Sequence, residues 1–142
     1  MNVREYYEEA LRERGFLADA AQQAAVERLQ RYYDDWIEFK RQRSSPLKKL
    51  FLHPAVPRGV YMWGGVGRGK SFLMDAFYLT VPVKRKTRLH FHEFMRGVHR
   101  ELREVSGEAD PLDHVARKVA RRYRLICFDE FHVSDVADAM IL

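Results

Sequence analysis

Eight residues, Gly64-Gly65-Val66-Gly67-Arg68-Gly69-Lys70-Ser71, constrain this chain more than any other stretch. They fit the spacing G-x-x-x-x-G-K-[ST] of a loop that wraps phosphate groups. The residue types supply the reason. Glycines let consecutive backbone N–H groups turn inward around an anion, where side chains would clash. Lys70 can bring a cation to the β- and γ-phosphates of a nucleotide, and the Ser71 hydroxyl can ligate Mg²⁺. A helix opening at Lys70 would aim the positive end of its dipole at the same phosphates.

Such a loop belongs between a strand and a helix, and the flanks suit both. Val60-Tyr61-Met62-Trp63 is a short β-branched and aromatic run that predicts a strand. Phe72, Leu73, Met74, Ala76, Phe77 and Leu79 predict a helix apolar on nearly all sides. A second segment, Leu125-Ile126-Cys127-Phe128, ends in Asp129-Glu130, the pattern of a buried parallel strand with acids at its C-terminal end. Ligands of open α/β sheets gather at the carboxyl ends of strands. Asp129 is therefore a candidate Mg²⁺ ligand together with Ser71, and Glu130 a candidate to orient or deprotonate an attacking water.

The 142 residues suffice for one domain with a real core, and 46% hydrophobic with 32% charged residues describes a soluble globular chain. No apolar run approaches the length of a membrane span. Glu5, Glu8 and Glu9 near the start argue against a signal or transit peptide. The single Cys127 has no internal disulfide partner, suits a reducing compartment and reads as a small core residue, so a cytoplasmic location is expected. The net charge of +5 is uneven, with one cluster from Lys84 to Arg88 and another from Arg117 to Arg124. Nucleic acid or an acidic partner could meet these clusters. No aromatic residues interleave with them as a base-stacking surface needs, so solvated faces are the preferred reading.

Along the chain, Asn2 with Glu5 and Asp19 with Gln22 resemble capping pairs, and Gly15 can end a first helix. From Asp19 to about Arg43 a second helix places Ala25, Leu29, Tyr32, Trp36 and Phe39 on one stripe, widened by Val26, Tyr33 and Ile37. Ser44-Ser45-Pro46 breaks it, and Pro54 and Pro57 predict an extended linker. A helical segment over 1–45 and a catalytic core over 46–142 are the expected domains. Within the core, Arg88–His92 predicts a strand, 93–104 a helix, and Asp110-Pro111 the start of another helix that feeds the Asp129 strand. Strand–helix repetition implies a parallel α/β sheet. His90 and His92 share a strand face, but no Cys/His spacing matches a structural zinc site. Packing, or sensing of bound phosphate, is the reading for them.

Three segments together carry a family resemblance: GVYMWGGVGRGKSFLMDAF (59–77), RLHFHEFM (88–95) and CFDEFHVSDVADAMIL (127–142). They resemble the ZapE family of bacterial cell-division ATPases, relatives of the mitochondrial AFG-one-like ATPases within the AAA+ class. The resemblance runs from about Arg28 to Leu142. It implies an ASCE-type P-loop NTPase sheet with flanking helices, ATP and Mg²⁺ as ligands, and association with FtsZ at the division site under ATP control. By position, Gly64, Gly65, Val66, Gly67, Arg68, Gly69, Lys70 and Ser71 bind phosphates, Ser71 and Asp129 serve Mg²⁺, and Glu130 with Lys70 is catalytic. A homo-oligomer of the complete protein is compatible with this class.

The family pattern also implies a further strand with a phosphate sensor, an arginine finger and a C-terminal lid beyond Leu142. The last residues, Ala137 to Leu142, are an apolar helical stretch without a stop signal. The expectation is an incomplete sheet and a 142-residue chain that does not turn over ATP. Two alternatives stay open: a nucleic-acid-associated AAA+ ATPase of the helicase-loader kind, and a nucleotide-binding module without turnover.

Overall fold

The computed structural model describes residues 1–65, 67 and 69–142. They form two compact units, Met1–Pro82 and Val83–Leu142.

The first unit is built from helices. Asn2 caps α1 (Val3–Arg14) with a reciprocal box: its side chain accepts from the Glu5 N–H, and Glu5 accepts from the Asn2 N–H. Gly15 ends the helix at φ 64°, a left-handed turn that glycine enters without a Cβ clash. Asp19 then caps α2 (Ala20–Gln42) through the Ala21 N–H. Gln22 does not complete the expected box; its Oε1 accepts instead from the Tyr7 hydroxyl. The 3.6-residue period buries Val26, Leu29, Tyr32, Trp36 and Phe39, whereas Ile37 is exposed. Gln30 is buried as well, because its Oε1 takes the Arg4 N–H in the first turn of α1, a donor the helix itself leaves open.

Ser45 caps a short α3 (Pro46–Phe51) where the sequence reading had only a linker. Ser-x-x-Lys with Pro at the first helical position is sufficient to start a turn. Residues 52–65 contain no helix or strand. The strand predicted at Val60–Trp63 is therefore corrected. A β-prone run becomes a strand only beside a backbone that offers complementary N–H and C=O groups. Among the described residues the one ladder joins two other segments.

The last helix of this unit, α4 (Lys70–Thr80), packs Leu73, Ala76 and Phe77 against α1 and α2. Phe77 stacks on Tyr32 at 5.0 Å, and Phe72 lies 5.9 Å from Tyr7. Its burial is one-sided, since Leu79 is exposed. These contacts carry the first unit past residue 45, so the helical segment shares a core with the loop-bearing helix.

The second unit is a crossover: β1 (Lys86–His90), α5 (Phe91–Glu104), α6 (Pro111–Arg122), β2 (Leu125–Asp129) and α7 (Val136–Ile141). The two strands pair in parallel, with Arg88 opposite Cys127 and His90 opposite Asp129. Strand and helix both begin two residues earlier than the sequence suggested. Phe91 is the cause: with Met95 and Val98 it forms the i, i+4, i+7 face of α5 and the centre of this unit's core, joined by Val115 of α6. Asp110 caps α6, with Pro111 as its first residue.

Candidate functional site

The phosphate-loop residues fold around the start of α4. Gly67 and Gly69 have φ of 79° and 78°, a region that L side chains rarely enter. At Gly69 a Cβ would also stand 2.7 Å from the Gln22 Nε2. The backbone turns at Gly69 and enters the helix at Lys70, so the first-turn N–H groups of α4 open towards the loop. Lys70 folds back on that loop: its Nζ donates to the Gly64 and Gly65 carbonyls, 2.7 Å each. Ser71 is exposed in the first turn. Val66 and Arg68 lie outside the described residues.

Beside the loop a cavity of about 460 Å³ runs between α2 and residues 60–65. Ala21, Ala25 and Leu73 give it apolar wall, Gln22 and Arg28 give it polar groups, and Lys70 closes the loop side. Tyr61 and Trp63 line it and are otherwise exposed. The lining is mixed, apolar with a few polar groups, and the cavity is half open to solvent.

In the second unit, Asp129 ends β2. Arg88 of β1 grips its carboxylate with two bonds, Nε to Oδ2 at 2.8 Å and Nη2 to Oδ1 at 3.2 Å. Both side chains are largely buried, 24% and 18% exposed. Glu130 follows at φ 51°, the one non-glycine residue with positive φ among those described, and its side chain projects into solvent. Holding a β-carbon residue there costs on the order of 1 kcal/mol. Such strain accumulates where the next group must be aimed. His90 Nδ1 is buried without a hydrogen-bond partner and stands 3.9 Å from the Glu130 Oε2. His90 and His92 stack at 5.5 Å. Burial pushes the Cys127 thiol up to about 11, which makes it a core residue and a poor nucleophile.

Each half thus brings its own predicted residues together: Gly64, Gly65, Gly67, Gly69, Lys70 and Ser71 in the first unit, Asp129 and Glu130 in the second. Sequence reasoning missed Arg88 and Gln22. The signal for Arg88 was available, because an acid at the end of a buried strand needs a counter-charge, and Arg88 sits on the strand that pairs with it.

Each unit offers one hard-oxygen donor of the kind Mg²⁺ takes, the Ser71 hydroxyl in the first and the Asp129 carboxylate in the second. Among the described residues no three His, Cys, Asp or Glu side chains gather as an all-protein cage.

A glycine-turned loop that delivers a lysine onto the start of a helix, with an acid-ended parallel strand elsewhere in the chain, defines the class of P-loop NTPases. All 142 residues match the family model described as AFG1-like ATPase, and the chain belongs to that family. It is 45% identical to the cell division protein ZapE of Escherichia coli K12 over 148 aligned residues, covering 96% of this chain and 39% of that protein. An uncharacterized protein of Schizosaccharomyces pombe is 44% identical over 110 residues, 73% of this chain and 24% of its own. Lactation elevated protein 1 homolog B of Danio rerio is 45% identical over 100 residues, 63% of this chain and 20% of its own. The chain therefore spans well under half the length of these relatives. No solved structure matches it. Among the described residues no helix is long and apolar enough to cross a membrane.

Proposed function

We propose that this chain binds Mg²⁺-ATP, and that in a protein of the relatives' length the bound ATP is hydrolysed to remodel a protein partner of the division machinery. The observation that carries the first step is Lys70, held by two loop carbonyls at the mouth of a helix N-terminus. An ammonium that already rests on neutral oxygens can exchange them for charged phosphate oxygens, which make the stronger hydrogen bonds. The loop's N–H groups receive the remaining phosphate charge, and the cavity beside Tyr61 and Trp63 receives the nucleoside. Ser71 and Asp129 would hold Mg²⁺, which neutralises phosphate charge when bound. Glu130, exposed and fixed at its strained turn, is the group to orient the attacking water.

The division role rests on the relative called cell division protein ZapE, and FtsZ at the division ring is the partner proposed from that likeness. The second reading, a nucleic-acid-associated ATPase, rests on the basic clusters. Several of those cations have internal partners: Arg85 donates to the Arg121 carbonyl, Arg88 to Asp129, Arg117 to Asp113 and Lys118 to Glu101. That use takes part of the positive charge away from a phosphate-backbone surface.

The test has two stages. A fluorescent ATP analogue should bind this chain in the presence of Mg²⁺ and lose affinity in Lys70→Ala; equal binding by the two sinks the site. ATP turnover by a protein of the relatives' length should then respond to FtsZ polymers. Stimulation by DNA with a steep salt dependence would move the assignment to nucleic acid.

A further inference from the structure

We propose that Arg88 is a built-in counter-cation of the metal site: it holds the Asp129 carboxylate when no metal is bound and opposes Mg²⁺ when one arrives. The inference rests on the reading of Asp129 as a Mg²⁺ ligand. Arg88 reaches Asp129 from the neighbouring strand with a fork of two bonds, one to each oxygen. A guanidinium does not lose its proton in proteins, so this charge is permanent. The pair is largely shielded from water, and shielding strengthens whatever electrostatic effect it has.

The chemistry follows from charge and lone pairs. A carboxylate whose two oxygens both accept from one guanidinium keeps only about two of its roughly four lone-pair sites for a metal. Mg²⁺ demands near-ideal octahedral geometry at short distance, so it must share Asp129 with the guanidinium or displace it. In either case a dication faces a fixed +1 charge one carboxylate away. At about 5 Å in a water-like dielectric this repulsion weakens Mg²⁺ binding about tenfold, and a lower dielectric enlarges it. Arg88 thereby raises the Mg²⁺ concentration at which Asp129 is recruited, and keeps a buried carboxylate from standing unpaired below that concentration.

The test is the Mg²⁺ concentration that half-saturates binding of a fluorescent ATP analogue to the protein, in wild type, Arg88→Met, Arg88→Lys and Asp129→Asn. Arg88→Met should need about tenfold less Mg²⁺. Arg88→Lys keeps the charge and should stay near wild type, which a merely structural fork would not predict. A folded Arg88→Met protein that needs as much Mg²⁺ as wild type, or more, overturns the proposal. Should that variant unfold, the Arg88 Nε–H signal of the wild-type protein decides by NMR: it should shift as Mg²⁺ and nucleotide saturate, and an unmoved signal overturns the proposal. Failure of the underlying reading looks different. Asp129→Asn would then keep the wild-type Mg²⁺ dependence, which removes Asp129 from the metal site and the Arg88 role with it.

Discussion

The two charged centres of this chain settle their charges by opposite routes. Lys70 rests on carbonyls five and six residues before it, within one loop. Asp129 rests on a guanidinium 41 residues away, on another strand. The lysine is held by neutral oxygens in an exposed setting, and the aspartate by a full charge in a sheltered one. Under the proposed function a ligand that brings phosphate would displace weak partners at the loop, whereas a metal ion at Asp129 would meet a strong competitor. On that proposal the loop is the open half of the chemistry and the strand end the guarded half.

The largest expected effect breaks the open half. Lys70→Ala removes the ammonium proposed to make two charge-assisted contacts with phosphate, about 3 to 4 kcal/mol, so affinity for an ATP analogue should fall about 300-fold. Retention of affinity within tenfold in an equilibrium titration would mean that the backbone amides alone bind phosphate.

The guarded half can be sharpened through Cys127, which lies opposite Arg88 in the strand pair. Its thiol is raised by burial from an ordinary value of 9.0 to about 11. At pH 8 the thiolate fraction then drops from about one in ten to about one in a thousand, so alkylation should be about 100-fold slower than for a free thiol. The rate should climb with pH until about 11 and jump on unfolding. Rapid labelling of the folded protein at pH 8 would show that this strand face is open, and with it the shelter given to Arg88 and Asp129.

A smaller effect falls on the loop's geometry. Gly69→Ala places a Cβ at φ 78° and 2.7 Å from the Gln22 amide nitrogen. Gln22 can swing aside, so the backbone dominates, at about 1 to 2 kcal/mol. Nucleotide affinity should fall about tenfold, with the melting temperature lowered by a few degrees. Affinity equal to wild type would show that the turn at Gly69 is not needed to place the loop.

The same contrast explains what could be read from the sequence. Local devices were legible: the Asn2–Glu5 box, Gly15, Asp110-Pro111, and the loop that opens α4 all act within a few residues. The parallel pairing around Asp129 was legible too, from an apolar run that ends in acids. What escaped depends on distant partners. Val60–Trp63 has strand composition but no ladder among the described residues, because pairing is decided by a neighbour and not by propensity. Phe91 reads as a strand residue until Met95, Val98 and Val115 are seen to need it in a helix-faced core. Arg88 looked like one of five residues in a basic run, and only the fold separates it from that cluster by setting it on Asp129.

The smallest prediction tests whether local devices act locally. Asn2→Ala removes the acceptor for the Glu5 N–H and the capping half of the box at α1. The expected loss is about 1 kcal/mol of stability, since Glu5 keeps its own contact with the residue 2 backbone. The helix cannot simply detach, because Val3 and Tyr7 are buried and the Gln30 side chain still takes the Arg4 N–H. Chemical denaturation should therefore show a lower midpoint with an unchanged slope, and nucleotide affinity should stay at the wild-type value. A drop in affinity would instead show that α1 supports the loop through Tyr7, whose hydroxyl holds Gln22, the side chain that Gly69 approaches. That outcome would join the cap at the N-terminus to the open half of the chemistry through three contacts.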